Sequence, residues 1–349
     1  MHRASGGLAA GLMGLLLLVG VSEAWDWVDA PFDLRLGLAL DRGSTFTDVV
    51  GLSASAAYPY PSSVNPANSD FLRAPPDNFK LAMTATGLYV PFETGASTTA
   101  GAGSVSFRFQ DAGTVMAIYS NSGSHDAHST QGDNYRLNSQ DFTIRYAQLV
   151  APWLALGGEF KLTDSTLSFE PGGQDFPVHT KTSSTGYDFR LGGLVALNKE
   201  WLFALMGGAG WSEARTRGRV DLPDFLGGPE RISFDTLTRS INLRTGVGWR
   251  PSDKFGAYLD WEYYRLWNEQ SVSTGRAFAG AEYMPIAALA LRVGGTVDTA
   301  SKTTASAGIG FYGLKHVLFE LAYVYNAFPE IRREFGVAHL VSTSIVVFY

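Results

Sequence analysis

The sequence predicts an all-β fold: a transmembrane antiparallel β-barrel of about 14 strands with an N-terminal hatch in its lumen. Three observations predict it. Segments of about ten residues with alternating hydrophobicity recur from residue 79 to the end, as expected of strands tilted across a bilayer. The connections between them alternate between very short and long. The last segment, His339 to Tyr349, keeps strand periodicity to the final residue. Tyr349, Val347, Ile345, Thr343 and Val341 share one face, and Val346, Ser344 and Ser342 the other.

Composition agrees with this class. The 349 residues are 45% apolar and 17% charged, with 39 Gly and no Cys. Charge is low and glycine is high, yet no apolar run beyond the first residues is long enough for a transmembrane helix. Alternation hides the hydrophobicity of a membrane sheet from a running average. The absence of Cys excludes disulfides, thiolate metal sites and a thiol nucleophile. A net charge of -6 gives no reason to expect nucleic acid.

Residues 1–24 read as a secretory signal peptide. His2 and Arg3 form a basic start, Leu8 to Val21 an apolar core, and Ser22-Glu23-Ala24 a small-residue site for cleavage before Trp25. Residues 25–78 form the expected hatch or plug. Asp33 to Asp41 alternates, and is read as part of the hatch or as an added strand of a sixteen-strand barrel. The proline-rich piece Tyr58-Pro-Tyr-Pro-Ser-Ser-Val-Asn-Pro-Ala67, with Pro75 and Pro76 behind it, cannot be a central strand, because proline removes a ladder donor.

Residues 79–349 form the expected barrel. The strands fall at 79–90, 104–110, 113–120, 135–149, 153–165, 184–197, 201–215, 236–250, 254–268, 276–284, 287–298, 303–312, 316–327 and 338–349. The connections after every second strand are very short, such as Asn198-Lys-Glu200 and Pro251-Ser-Asp253. Those after the third, fifth, seventh and thirteenth are long and polar. Short turns on one rim and longer loops on the other match the outer-membrane pattern.

Face assignment separates lipid from lumen. In the ninth strand Phe255, Ala257, Leu259, Trp261 and Tyr263 oppose Gly256, Tyr258, Asp260, Glu262 and Tyr264. A basic residue at mid-bilayer costs about 2–4 kcal/mol, so the charged face must look inward. The lumen-facing set then includes Arg108, Arg145, Glu159, Arg190, Arg244, Asp260, Glu262, Arg292 and Glu320. Interspersed signs favour ion pairs that brace the wall or hold a plug over a one-sign diffusion pore. Trp153, Trp201, Trp249, Trp267 and Tyr349 near strand ends suit a girdle at headgroup level.

Two features carry a resemblance. The aromatic-ended final strand resembles the C-terminal assembly signal of bacterial outer-membrane barrels. The stretch Ser62-Ser-Val-Asn-Pro-Ala-Asn-Ser-Asp-Phe-Leu72 resembles the Asn-Pro-Ala signature in the hatch of the FadL/TodX family, outer-membrane transporters of long-chain fatty acids and aromatic hydrocarbons. The resemblance implies a hatch containing Asn65, Pro66 and Ala67, and passive uptake of hydrophobic small molecules, with release by a hatch shift, sideways through a strand gap as one route. It implies outer-membrane lipid and the barrel-assembly machinery as partners, no cofactor, and residence in the bacterial outer membrane. Loops 121–134 and 166–183, where that family builds an external capture groove, are polar here. The alternatives are a general porin, a structural or secretion-associated barrel, and an embedded lipid hydrolase. For the last, His339 near Ser342 and Glu334 lacks triad spacing, and His125-Asp-Ala-His128 reads as a solvated loop before a metal site.

Overall fold

The computed structural model describes residues 30–44, 55–58, 65–69, 81–109, 112–125, 127–172, 178–221 and 228–349. The signal reading at 1–24 and the prolines Pro59, Pro61, Pro75 and Pro76 lie outside them. Fourteen strands form the wall: β1 (Leu81–Pro91), β2 (Ser97–Phe109), β3 (Gly113–His125), β4 (Asn134–Ala151), β5 (Leu154–Glu170), β6 (Val178–Ala196) and β7 (Trp201–Val220), then β8 (Glu230–Ser252), β9 (Phe255–Trp267), β10 (Ser271–Ile286), β11 (Leu289–Asp298), β12 (Thr303–Leu314), β13 (Val317–Tyr325) and β14 (His339–Phe348). A further two-residue strand, Ala127–His128, pairs only with the start of β4.

Every neighbour in the wall is antiparallel, and β1 pairs with β14 from Ala82↔Phe348 to Tyr89↔Val341, which closes the cylinder. Closure leaves no sheet edge exposed to lipid. The faces follow the charge rule: Tyr258, Asp260, Glu262 and Tyr264 are buried, while Leu259, Phe319, Leu321 and Val293 are exposed on the outside. Trp201 and Trp249 lie side by side at the short-turn rim, ring centroids 6.2 Å apart.

Three sequence expectations are corrected. Residues 33–41 are not a strand of a larger barrel: they lie in a helix, α1 (Phe32–Ser44). Leu34, Leu36, Leu38 and Leu40 alternate, but Leu34 and Leu38 also stand four apart, on one helical face. The second correction concerns strand length. β5 to β8 continue well beyond the expected ends, so most of the presumed loop 166–183 is ladder. Outside the bilayer both faces can be polar, so hydrophobic alternation disappears while pairing persists. Ser165 bonds Ser184 at 2.7 Å, and Thr182 bonds Thr216 at 2.8 Å. Third, the connection between β13 and β14 is not a simple external loop. It holds a 3-10 turn (Pro329–Ile331) and the short helix α2 (Arg332–Phe335), with Ile331 and Phe335 buried.

Candidate functional site: a hatch clamped inside the barrel

Three pieces of chain sit against the inward wall: the 65–69 turn, the 55–58 segment, and α1 with the 326–338 connection. At the first, Asn65 precedes a 3-10 turn, Pro66–Ser69. Its side chain acts as the cap: Ala67 N donates to Asn65 Oδ1 at 3.0 Å, and Asn68 N donates to Asn65 O at 3.0 Å. Proline suits the following position because its missing N–H would have no partner there. The other end of the amide reaches outward, with Nδ2 donating to Ala56 O at 3.0 Å and to Gly193 O on β6 at 3.2 Å.

The wall is dented to receive this turn. A Cβ on Gly157 would come within 2.5 Å of the Ala67 nitrogen, and one on Gly192 would overlap Asn65 Oδ1. Around the dent, Ala56, Ala57 and Ala67 pack on Ala155, Leu194, Leu202, Ala204 and Met206.

The 55–58 segment docks on charge. Asp260 takes the Ser55 hydroxyl, Ala56 N at 2.6 Å and Arg244 Nε at 2.8 Å. Tyr58 donates to Glu282 Oε2 at 2.7 Å and accepts from Arg292 Nη2 at 3.3 Å. Burial pushes the Tyr58 phenol well above its ordinary value, so it stays a donor. Behind it Arg292 binds Glu282 at 2.9 Å and Glu320 at 2.8 Å, and Arg250 binds Glu282 at 3.1 Å.

The upper clamp joins α1 to both wall and connection. Leu34 and Leu38 are buried against Tyr264, Leu266 and Val272. The opposite face meets an aromatic cluster in which Tyr135 lies 4.9 Å from Phe32, 4.8 Å from Phe169 and 5.3 Å from Phe335, measured between centroids. Arg35 grips Glu334 with two bonds, Nη2 to Oε1 at 2.5 Å and Nη1 to Oε2 at 2.9 Å. Arg276, only 1% exposed, reaches Asp41 at 3.3 Å, Glu262 at 3.4 Å, Glu330 at 3.3 Å and the Leu38 carbonyl at 3.3 Å. Arg190 bridges Glu159 at 3.6 Å, Asp188 at 3.1 Å and Asp41 at 3.8 Å, and Arg145 holds Glu159 at 2.6 Å. Burial, and after it the Glu262 carboxylate, raise the Asp41 carboxyl above its usual value against the pull of Arg276 and Arg190.

The wall charges named from the sequence thus fall into groups. Arg190 meets α1 directly, Arg145 and Glu159 through Arg190, and Glu262 through Arg276; Asp260 meets Ser55 and Ala56 and is held by Arg244; Arg292 meets Tyr58 and is held by Glu320. Arg108 is half-buried on the inward face of β2 near the short-turn rim. Sequence reasoning missed Arg35 and Asp41, whose segment alternates like a strand but coils into α1, and Glu330 and Glu334, which sit in a connection with no strand alternation to orient them. Gly157-Gly158 and Gly192-Gly193 were legible signals of close backbone approach inside strands.

The contacts of this arrangement hold the hatch segments against the wall. His339 Nδ1 meets the Tyr323 hydroxyl at 2.6 Å at an exposed position, while Glu334 is engaged by Arg35. Among the described residues no group of three or more His, Asp or Glu is placed to hold a metal ion.

The strand ladders bear on any sideways exit. β3 and β4 pair without interruption from Thr114↔Ala147 to Gly123↔Asn138, and register shifts elsewhere lie next to the short turns. Among the described residues no break in strand pairing marks a sideways exit.

No family model and no curated sequence matches the chain. Solved structures do. The toluene transporter TodX of Pseudomonas putida matches at 14% identity, covering 82% of this chain and 93% of its own, with a TM-score of 0.55. The monoaromatic hydrocarbon channel CymD matches at 12% identity over 88% and 97%, TM-score 0.59. A FadL homologue from Pseudomonas aeruginosa matches at 11% identity over 86% and 98%, TM-score 0.62. With so few shared residues over nearly the whole of each partner, what this chain has in common with them is the fold, the fourteen-strand barrel of FadL and TodX.

Proposed function

We propose that the protein is a bacterial outer-membrane transporter for passive uptake of hydrophobic small molecules, with long-chain fatty acids and aromatic hydrocarbons as the substrate class. One observation carries this: the segments preceding the barrel sit against its inward wall, docked on buried wall charges by hydrogen bonds from Ser55, Ala56 and Tyr58 and by ion pairs from Asp41 to Arg276 and Arg190, beside apolar packing at Leu34, Leu38 and Ala67. Such pairs add little net stability over apolar packing, since desolvation offsets most of their attraction. A permanent stopper would favour hydrophobic contact. A plug seated on neutralised charges can part from the wall and be solvated by incoming water. The aromatic cluster of Phe32, Tyr135, Phe169 and Phe335 offers an apolar molecule its first contact below the long-loop rim. Insertion there competes with the contacts that hold α1.

The test is reconstitution of the full mature chain in vesicles. Uptake of oleate or toluene above protein-free vesicles, without uptake of a hydrophilic sugar of similar mass, is expected. A steady open conductance in planar bilayers, with sugar passing freely, would replace this reading with a general porin.

A further inference from the structure

We infer that the outer wall carries a binding site for the phosphate group of an anionic outer-leaflet lipid, set between β8, β9 and β10. A pocket of about 340 Å³ opens there, lined by Ile241, Arg265 and Trp267 of the wall and by the turn from Asn268 to Ser271. The turn is a fixed rim: Asn268 N donates to Gln270 O, and Gln270 N donates back to Asn268 Oδ1, both at 2.8 Å.

The height of this pocket suits a headgroup. At about 3.3 Å per residue and a tilt of about 40°, the climb from Phe255 at the short turn to Arg265 is about 25 Å, the thickness of the apolar band of such barrels. Trp267 and Trp211 stand at the same level, linked across the ladder by one residue. That residue is Arg239, opposite Trp267 on β9 and opposite Trp211 on β7. An exposed arginine between two interfacial tryptophans is placed to meet a phosphate, not an acyl chain.

The charges are available. Arg265 lies 5.9 Å from the Trp267 ring centroid, its stem sunk against the wall. Among the described residues neither Arg239 nor Arg265 forms an ion pair, whereas Arg215 on the same outer wall is taken by Asp235 at 2.9 Å and Arg219 by Asp221 at 2.5 Å. Glu269 is the one acid on the pocket rim. Ile241 stands level with Arg265, and below them Leu243 and Leu259 continue the wall as an apolar track for the acyl chains. Two unpaired guanidinium groups above an apolar track complement a phosphorylated glycolipid of the outer leaflet. The inference rests on the barrel being embedded in lipid and is independent of what crosses it.

Native mass spectrometry of the full chain in detergent tests it, with bisphosphorylated lipid A, its dephosphorylated form and inorganic phosphate as probes. Two cations at the headgroup plane correspond to roughly a ten- to thirty-fold preference. The wild-type chain is expected to retain one phosphorylated lipid A with that preference over the dephosphorylated form. The R239Q/R265Q pair is expected to bring the two within about two-fold, and each single variant to lower the preference by itself. K181Q/R217Q removes two cations higher on the outer wall and is expected to change nothing. Retention of the preference in R239Q/R265Q overturns the site. Equal loss in both pairs, or displacement of the lipid by inorganic phosphate at matched concentration, overturns it as well.

Discussion

At Asn65 a single amide closes the turn that follows it and ties that turn to the wall, which is why an Asn-Pro-Ala sequence has physical content. Asn65→Ala loses the cap to Ala67 and the two donations to Ala56 and Gly193. At about 1 kcal/mol for each bond, the local opening free energy of residues 55–58 and 65–69 should fall by about 2–4 kcal/mol. Hydrogen exchange at those amides, with the strand amides unchanged, measures it. Gly192→Val should displace the same turn by overlap and raise channel openings in planar bilayers. Arg276 is the other residue with disproportionate weight. Arg276→Met removes the cation that Asp41, Glu262 and Glu330 share, a loss of about 3–5 kcal/mol. Its signature should be an open conductance, with unchanged heat-modifiable mobility of the barrel.

Among the elements, α1 decides whether the upper lumen is closed. Full burial of Leu34 and Leu38 contributes about 1.5–3 kcal/mol each, and the Arg35–Glu334 fork fixes the 326–338 connection against the helix. Glu334→Ala should free that connection while leaving the ladder intact. Trypsin should then cut after Arg332 and Arg333 at least about ten-fold faster, given about 1.5–3 kcal/mol for hydrogen bonds to a charged group. An unchanged cleavage rate would mean the packing of Ile331 and Phe335 holds the connection unaided. The helix itself was hidden in the sequence. Leucines at every second position satisfy a strand and half satisfy a helix, and only the depth of Leu34 and Leu38 against Tyr264, Leu266 and Val272 chose between them.

For the whole molecule, the wall and its contents are separable. Because β1 and β14 pair directly, deletion of residues 30–76 should leave a folded barrel and turn it into a steadily conducting pore. Loss of strand signal in circular dichroism would instead show that the hatch is needed to close the wall. On the lipid side, Leu321→Arg should cost about 2–4 kcal/mol in urea unfolding from vesicles, the price of a basic group near the bilayer middle. What the sequence determined by itself was the cylinder: about fourteen strands, their order and their rims. Lipid on one side and polar lumen on the other write a two-residue period into every span, and that period is local. Tertiary structure decided the rest. Whether Asp33 to Asp41 coils, how far β5 to β8 rise past the bilayer, and which acid each inward arginine takes depend on surfaces far apart in the chain. Those surfaces meet only once the cylinder has closed, so no local period could record them.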